Sequence, residues 1–354
     1  MPLTNGRVAG LSAQILALLI GVICGLGAYL AGMPLPWMLG PLIGNTIAAM
    51  CHVPVRAPTR LRPVVIPVIG VLLGSGVTAE IFGLLHSWVL TLLLLPVFLA
   101  CASAASFAVY RRLGGYDTVT AFYAAMPGGI NEMLVMGAEA GGDERRIALA
   151  HAARILVVIV FVALFFGLVL GVTSGGKGAS TWVGLGALTV LDYAVLGTCA
   201  IAGAWLGHRV GLPAAPVFGP MILSGIAHIV GWVTIAPPTL LVIVAQVTMG
   251  TIIGTRFAGS SFAQVGRDLM LAAVASLAML IVAVVFAIVI AWPNGIPTSQ
   301  AFLAYSPGGL TEMSLLAFAL EQDVTYVSVM HIFRITMVIA MAPLVFRFAR
   351  TKTQ

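Results

Sequence analysis

Charge is scarce in this chain. Of 354 residues, 17 are Lys or Arg and 11 are Asp or Glu, a charged share of 8% beside 60% hydrophobic residues. A soluble domain carries about 25% charged residues and needs them to stay dispersed. The deficit excludes a soluble enzyme, and the excess of apolar side chains excludes a disordered or fibrous chain. Cysteine is scarce too. Cys24, Cys51, Cys101 and Cys199 show no C-x-x-C spacing and lie in or beside apolar runs. They read as small buried apolar residues rather than as a disulfide framework or a zinc site. Two constellations are absent. There is no G-x-x-x-x-G-K-[ST] motif, which argues against ATP-driven transport within the chain. No Ser/His/Asp or multi-His cluster stands out, so no cofactor or metal is expected. The net charge is +6, but its basic residues sit singly or in pairs between apolar runs. That is the pattern of cytoplasmic loops, not of a phosphate-binding face, so no nucleic-acid partner is expected.

What the chain has in abundance is long apolar stretches. A bilayer core about 30 Å thick needs about 20 apolar residues per helix. Stretches lie near 10–31, 35–51, 62–78, 87–110, 119–138 and 146–170, then near 187–207, 213–231, 238–255, 268–291, 299–320 and 325–346. A Gly/Ser-rich loop, Thr173 to Thr181, separates the two sets. The first stretch follows Arg7 but lacks a clear small-x-small cleavage site and has a counterpart later, so it reads as a span.

The two sets repeat at an offset of 179–180 residues. Gly32-Met33-Pro34 answers Gly211-Leu212-Pro213, Gly40-Pro41 answers Gly219-Pro220, and Gly70 and Gly74 answer Gly250 and Gly254. Ala121–Ile155 aligns with Ala301–Ile335 without a gap, and 12 of the 35 positions are identical, where chance gives roughly two or three. The shared block contains Pro127-Gly128-Gly129, Glu132, His151 and Arg154 in the first copy. In the second it contains Pro307-Gly308-Gly309, Glu312, His331 and Arg334. The expected organisation is a membrane repeat over 1–172, a linker over 173–186 and a second membrane repeat over 187–354.

Lys and Arg set the parity of each repeat. If all twelve stretches cross with the N-terminus inside, Arg145, Arg146, Arg209, Arg256 and Arg267 fall outside, against the positive-inside tendency. If the two P-G-G stretches instead enter and leave on one side, only Lys177 falls outside. Arg7, Arg56, Arg60, Arg62, Arg111, Arg112, Arg145, Arg146, Arg209, Arg256, Arg267, Arg347, Arg350 and Lys352 all fall inside, with Arg154 and Arg334 within spans. Each repeat then crosses five times, an odd number, so the repeats are inverted. Pro-Gly-Gly supports the break: proline removes a donor and clashes with a continuing helix, and glycine weakens it further. A kinked helix that still crosses is the competing reading. The expected fold is thus an all-α polytopic membrane protein of two inverted repeats. Each has about five transmembrane helices plus a P-G-G broken or re-entrant helix.

Glu132 and Glu312 fall in the first turn of the outgoing half-helix. There a carboxylate can simply complement the helix dipole, or, buried near the midplane, carry a proton or help bind a cation. His151 and Arg154 share a helix face, as do His331 and Arg334. If the helix begins near Glu144, Arg154 lies about 15 Å along it, at the depth of the P-G-G tip. The arginines either pair with the glutamates or, with the freed N–H groups after Pro127-Gly128-Gly129 and Pro307-Gly308-Gly309, hold an anionic substrate. Histidine can relay a proton near neutral pH. Asn45, Gln246 and Thr248 are further polar residues within spans, where they either line a path or bond across helices. Asp192 is expected at one end of its span, and His52 reads as a junction residue.

The doubled P-G-G-h-x-E-M block, each copy followed by H-x-x-R, resembles the AbrB family of bacterial membrane proteins over nearly the whole chain. Members carry the labels transporter, regulator of gene expression and ammonia monooxygenase. The chain has no soluble segment long enough for a DNA-binding domain and no metal-ligand cluster for a monooxygenase. The reading that results is a secondary transporter of a small anionic organic solute, coupled to a proton or Na⁺, with its site at the midplane between the two motifs. It is expected in the bacterial inner membrane with both termini cytoplasmic, and a homo-oligomer is compatible with it. A membrane-embedded regulator or sensor is the alternative, and a membrane monooxygenase a weaker one.

Overall fold

The computed structural model describes residues 3–33, 35–77, 88–166, 182–212, 214–257 and 262–351. Most of the expected linker, with Lys177, and the terminal Lys352 lie outside the described residues. Among the described residues there are fourteen α-helices and no strand. In the first half these are α1 (Leu3–Leu30), α2 (Pro36–Met50), α3 (Arg62–Ser75), α4 (Trp88–Arg112), α5 (Thr118–Ala125), α6 (Ile130–Glu139) and α7 (Glu144–Leu164). In the second they are α8 (Val190–Val210), α9 (Ala215–Val230), α10 (Thr239–Gly254), α11 (Phe262–Asn294), α12 (Thr298–Tyr305), α13 (Leu310–Ala319) and α14 (Val324–Thr351). Over its described residues each apolar stretch is helical, and the two P-G-G stretches are split into short helices, α5–α6 and α12–α13.

Among the described residues, seven helical segments are long and apolar enough to cross a bilayer, including Gly10–Leu30, Trp88–Arg112, Gly266–Pro293 and Val324–Ala342. Their outer faces carry exposed Leu19, Ile23 and Leu30 on α1, Leu191 and Ile201 on α8, and Ile281 and Trp292 on α11. Such faces are costly in water and comfortable in lipid. The chain is a multi-pass membrane protein. The same distinction corrects the reading of the cysteines. Cys199 is buried, but Cys51 and Cys101 are exposed and Cys24 is half-buried. An apolar run in a membrane protein has two ways to leave water, protein or lipid, and Cys101 on α4 takes the second.

The chain folds into two compact units, and each draws on both halves. One comprises Met1–Ile81, Val160–Ser261 and Ser314–Thr325. Within it α1 packs on α2 and α8 on α9, while α3 packs on α9 and α10 on α2. Glycine makes the last two contacts possible. A methyl at Gly70 or Gly74 would strike the carbonyls of Val217 and Met221 on α9, and at Gly250 or Gly254 those of Met38 and Leu42 on α2. These are equivalent residues making equivalent contacts, the close backbone approach that small residues permit in membranes. The equivalence reaches the backbone: Leu35 and Ala214, ahead of α2 and α9, both sit in the left-handed region, with φ of 47° and 49°. Asn45 bonds across helices, its amide donating to the Ala17 carbonyl at 3.0 Å. Ser224 at the matching position of α9 donates to the Val71 carbonyl at 2.8 Å. Thr248 instead bonds within its own helix, to the Val244 carbonyl at 2.7 Å. Asp192 sits at the start of α8 in a capping box with Thr189, and His52, in the left-handed region with φ 60°, follows the end of α2.

The other unit comprises Phe82–Ile159, Phe262–Met313 and Tyr326–Gln354. Here α4 packs on α5 and α11, and α11 packs on α12. Both P-G-G breaks, both histidines and both arginines belong to it.

Candidate functional site

Asp117 starts the first broken element by accepting a hydrogen bond from the Thr120 amide at 2.9 Å. After Ala125 the backbone turns extended at Met126 (φ −66°, ψ 126°) and is still extended at Gly129 (φ −65°, ψ 137°), where α6 begins. The chain then comes back. Thr120 Oγ1 accepts from the Asp143 amide at 2.9 Å, a methyl at Gly142 would lie 3.2 Å from Val119, and one at Gly137 would lie 3.4 Å from Tyr123 Cβ. The end of α6 therefore touches the start of α5, which a continuous crossing of about 27 Å could not allow. The first P-G-G element is a helical hairpin with Pro127 at its tip. The second breaks at the same place, between Tyr305 and Leu310.

The glutamates fold back on their own half-helices. A methyl at Gly129 would occupy the place of the Glu132 carboxylate, and one at Gly309 that of the Glu312 carboxylate. Glycine is required there because the carboxylate lies over the helix start, where it complements the helix dipole. Glu132 is exposed, whereas Glu312 is only 6% exposed.

The arginines meet the tips at the depth their spacing implies. Arg154 Nη1 donates to the Met126 carbonyl at 2.9 Å, and Arg334 donates to the carbonyls of Ser306 and, at 2.7 Å, Gly308. Carboxylates accept none of these bonds. The arginines are 5% and 2% exposed, lie within electrostatic reach of each other, and each keeps a buried Nε that closes no hydrogen bond. A buried cation is costly unless something negative compensates it.

The histidines are fixed by geometry in opposite tautomers. His151 Nδ1 lies 2.9 Å from Arg154 Nη2 and must accept; Nε2 then donates to the Tyr123 carbonyl at 2.9 Å. His331 Nδ1 lies 2.9 Å from the Val327 carbonyl and must donate, and its buried Nε2 closes no hydrogen bond. The tips themselves are shielded: Pro127 and Pro307 are buried, Gly128 is partly buried and Gly308 is buried.

The sequence reading missed a set of tyrosines. Tyr305 and Tyr326 hydroxyls reach the backbone and side chain of Thr91 on α4, and Tyr305 meets Phe98 edge-on and stacks on Phe286, at centroid distances of 4.8 and 6.0 Å. The signal was available: the equivalent of Tyr305 in the first copy is Ala125.

The family model described as "Transition state regulatory protein AbrB" matches residues 37–350. A Bacillus subtilis (strain 168) protein named "Uncharacterized protein YhjN" is 26% identical over 348 residues, covering 90% of this chain and 88% of its own. The Escherichia coli (strain K12) protein named "Putative regulator AbrB" is 23% identical over 336 residues, covering 94% and 95%. The family model spans most of the chain, and the chain belongs to the AbrB family.

Proposed function

We propose that this protein is a secondary transporter of a small anionic organic solute, coupled to a proton or Na⁺, with the solute bound between the two P-G-G tips. The observation that carries the reading is the pair of buried guanidiniums at the tips, whose hydrogen bonds go to neutral groups and whose Nε atoms are free. A negatively charged solute supplies what these cations lack, and the first-turn amides of α6 and α13 add donors. Glu132, His151, Glu312 and His331 are the groups that could carry a coupled proton. In this reading the repeats are inverted, residues 1–172 and 187–354 flank a linker at 173–186, and both termini face the cytoplasm of a bacterial inner membrane. Broken helices flanking a midplane site are how several transporter folds hold substrate.

The description of the family and the name of the Escherichia coli relative favour a second reading, a membrane-embedded regulator that binds a solute without moving it. One experiment separates the two. Purified protein is screened by thermal stability against organic acids, with and without Na⁺ and across pH. The acid that stabilises it is then followed into proteoliposomes. Gradient-driven accumulation supports transport; binding without accumulation supports the regulator.

A further inference from the structure

The first tip borders a cavity of about 770 Å³. Its walls come from α4, α5 and α14, among them Leu99, Ala125, Met126, Met337 and Val338, with Ser103 one of the few polar groups. Ala125 closes the inner end of the wall: it is fully buried and belongs to a packed cluster with Tyr110, Ala150 and Leu271, so the open space lies outward of it, beside Met126 and Ala104. Met126 joins the cavity to the charge. Its side of the chain lines the wall, and its carbonyl takes Arg154 Nη1 at 2.9 Å. A buried cation with a free Nε therefore stands one hydrogen bond behind an apolar wall.

We infer that the solute is an organic acid with an apolar body, its acid group held at Arg154 and the first tip and its hydrocarbon in the cavity beside Met126. This rests on the anion-binding reading above and names the class of anion. A two- or four-carbon acid would leave most of the apolar wall without a partner. An acid of six to ten carbons or an arylalkanoate would cover it, and each buried methylene tightens binding by about fourfold.

The test is calorimetric titration of the full chain in phosphatidylcholine nanodiscs with acetate, butyrate, hexanoate and octanoate, empty discs as the blank, and 1-octanol as the uncharged control. Affinity is expected to rise about fourfold per methylene, with 1-octanol far weaker than octanoate. Ala104→Phe, which fills the cavity from an exposed position on α4, should flatten the dependence on chain length. Ala104→Val, a milder filling, should reduce the slope partway and covers the case in which the phenylalanine variant does not fold. Arg154→Lys should weaken all four acids alike. Acids that bind with no dependence on length, and lose binding in Arg154→Lys, would overturn the cavity inference and leave the anion site standing. Octanol binding as tightly as octanoate would also overturn it, showing that the cavity takes hydrocarbon without an acid. If no acid binds the parent at all, the anion reading falls with it.

Discussion

The two P-G-G tips share their motif and differ in their surroundings. At the second, Tyr305 and Tyr326 tie the tip to Thr91, Arg334 spans two carbonyls, and Glu312 is buried. At the first, a cavity opens beside Met126, Arg154 divides its bonds between one carbonyl and His151, and Glu132 is exposed. Both tips carry the break, the buried arginine and the glycine that accommodates the carboxylate. The neighbours decide which tip is packed and which is open.

The comparison is sharpened most by the arginines. Arg154→Lys and Arg334→Lys keep charge but lose the planar fork. One lost charged hydrogen bond, about 1.5–3 kcal/mol, lowers transport by roughly 10- to 100-fold. The loss of folded yield should be larger for Arg334→Lys, because two carbonyls depend on that side chain. Equal yields would show that the packing difference between the tips has no energetic weight.

The glycines give the next largest effect. Gly309→Ala forces a methyl into the place of a buried carboxylate and should cost about 1–3 kcal/mol, as overpacking does. Gly129→Ala meets an exposed carboxylate that can swing away, and should cost a few tenths. Thermal melts of the two variants read the difference, and the reverse order would contradict the assignment of open and closed tips.

The hairpin has its own check. In a chain lacking Cys24, Cys51, Cys101 and Cys199, the pair Val119→Cys and Gly142→Cys should cross-link readily on mild oxidation. Absence of cross-linking would mean that the first P-G-G element crosses rather than returns. The smallest effect belongs to Glu132→Gln. If the carboxylate only complements the helix end, the cost is about 0.3–1 kcal/mol of stability. Loss of gradient-driven accumulation with substrate exchange retained would instead make Glu132 a proton carrier.

Much of this was legible in the sequence because it follows from spacing. Apolar runs of the right length became helices, Pro-Gly-Gly broke two of them, and the interval from Glu144 to Arg154 placed the guanidinium at the tip. What was not legible depends on which neighbour arrives. Hydropathy says that Cys101 leaves water but not that it faces outward from the protein. The spacing of Glu132 and Arg154 allowed an ion pair, yet the carboxylate folded onto Gly129 and the guanidinium took a carbonyl. The change from Ala125 to Tyr305 was visible in the aligned blocks, but its consequence needed Phe98 and Phe286 from other helices.

The central claim is that the two buried arginines bind a transported anion. The most direct measurement is uptake into proteoliposomes of the acid that best stabilises the purified protein. Parent, Arg154→Lys and Arg334→Lys proteins are compared at matched folded amounts. The account predicts gradient-driven accumulation by the parent and at least about a tenfold loss in both variants. Accumulation by either lysine variant at the parental rate would contradict it.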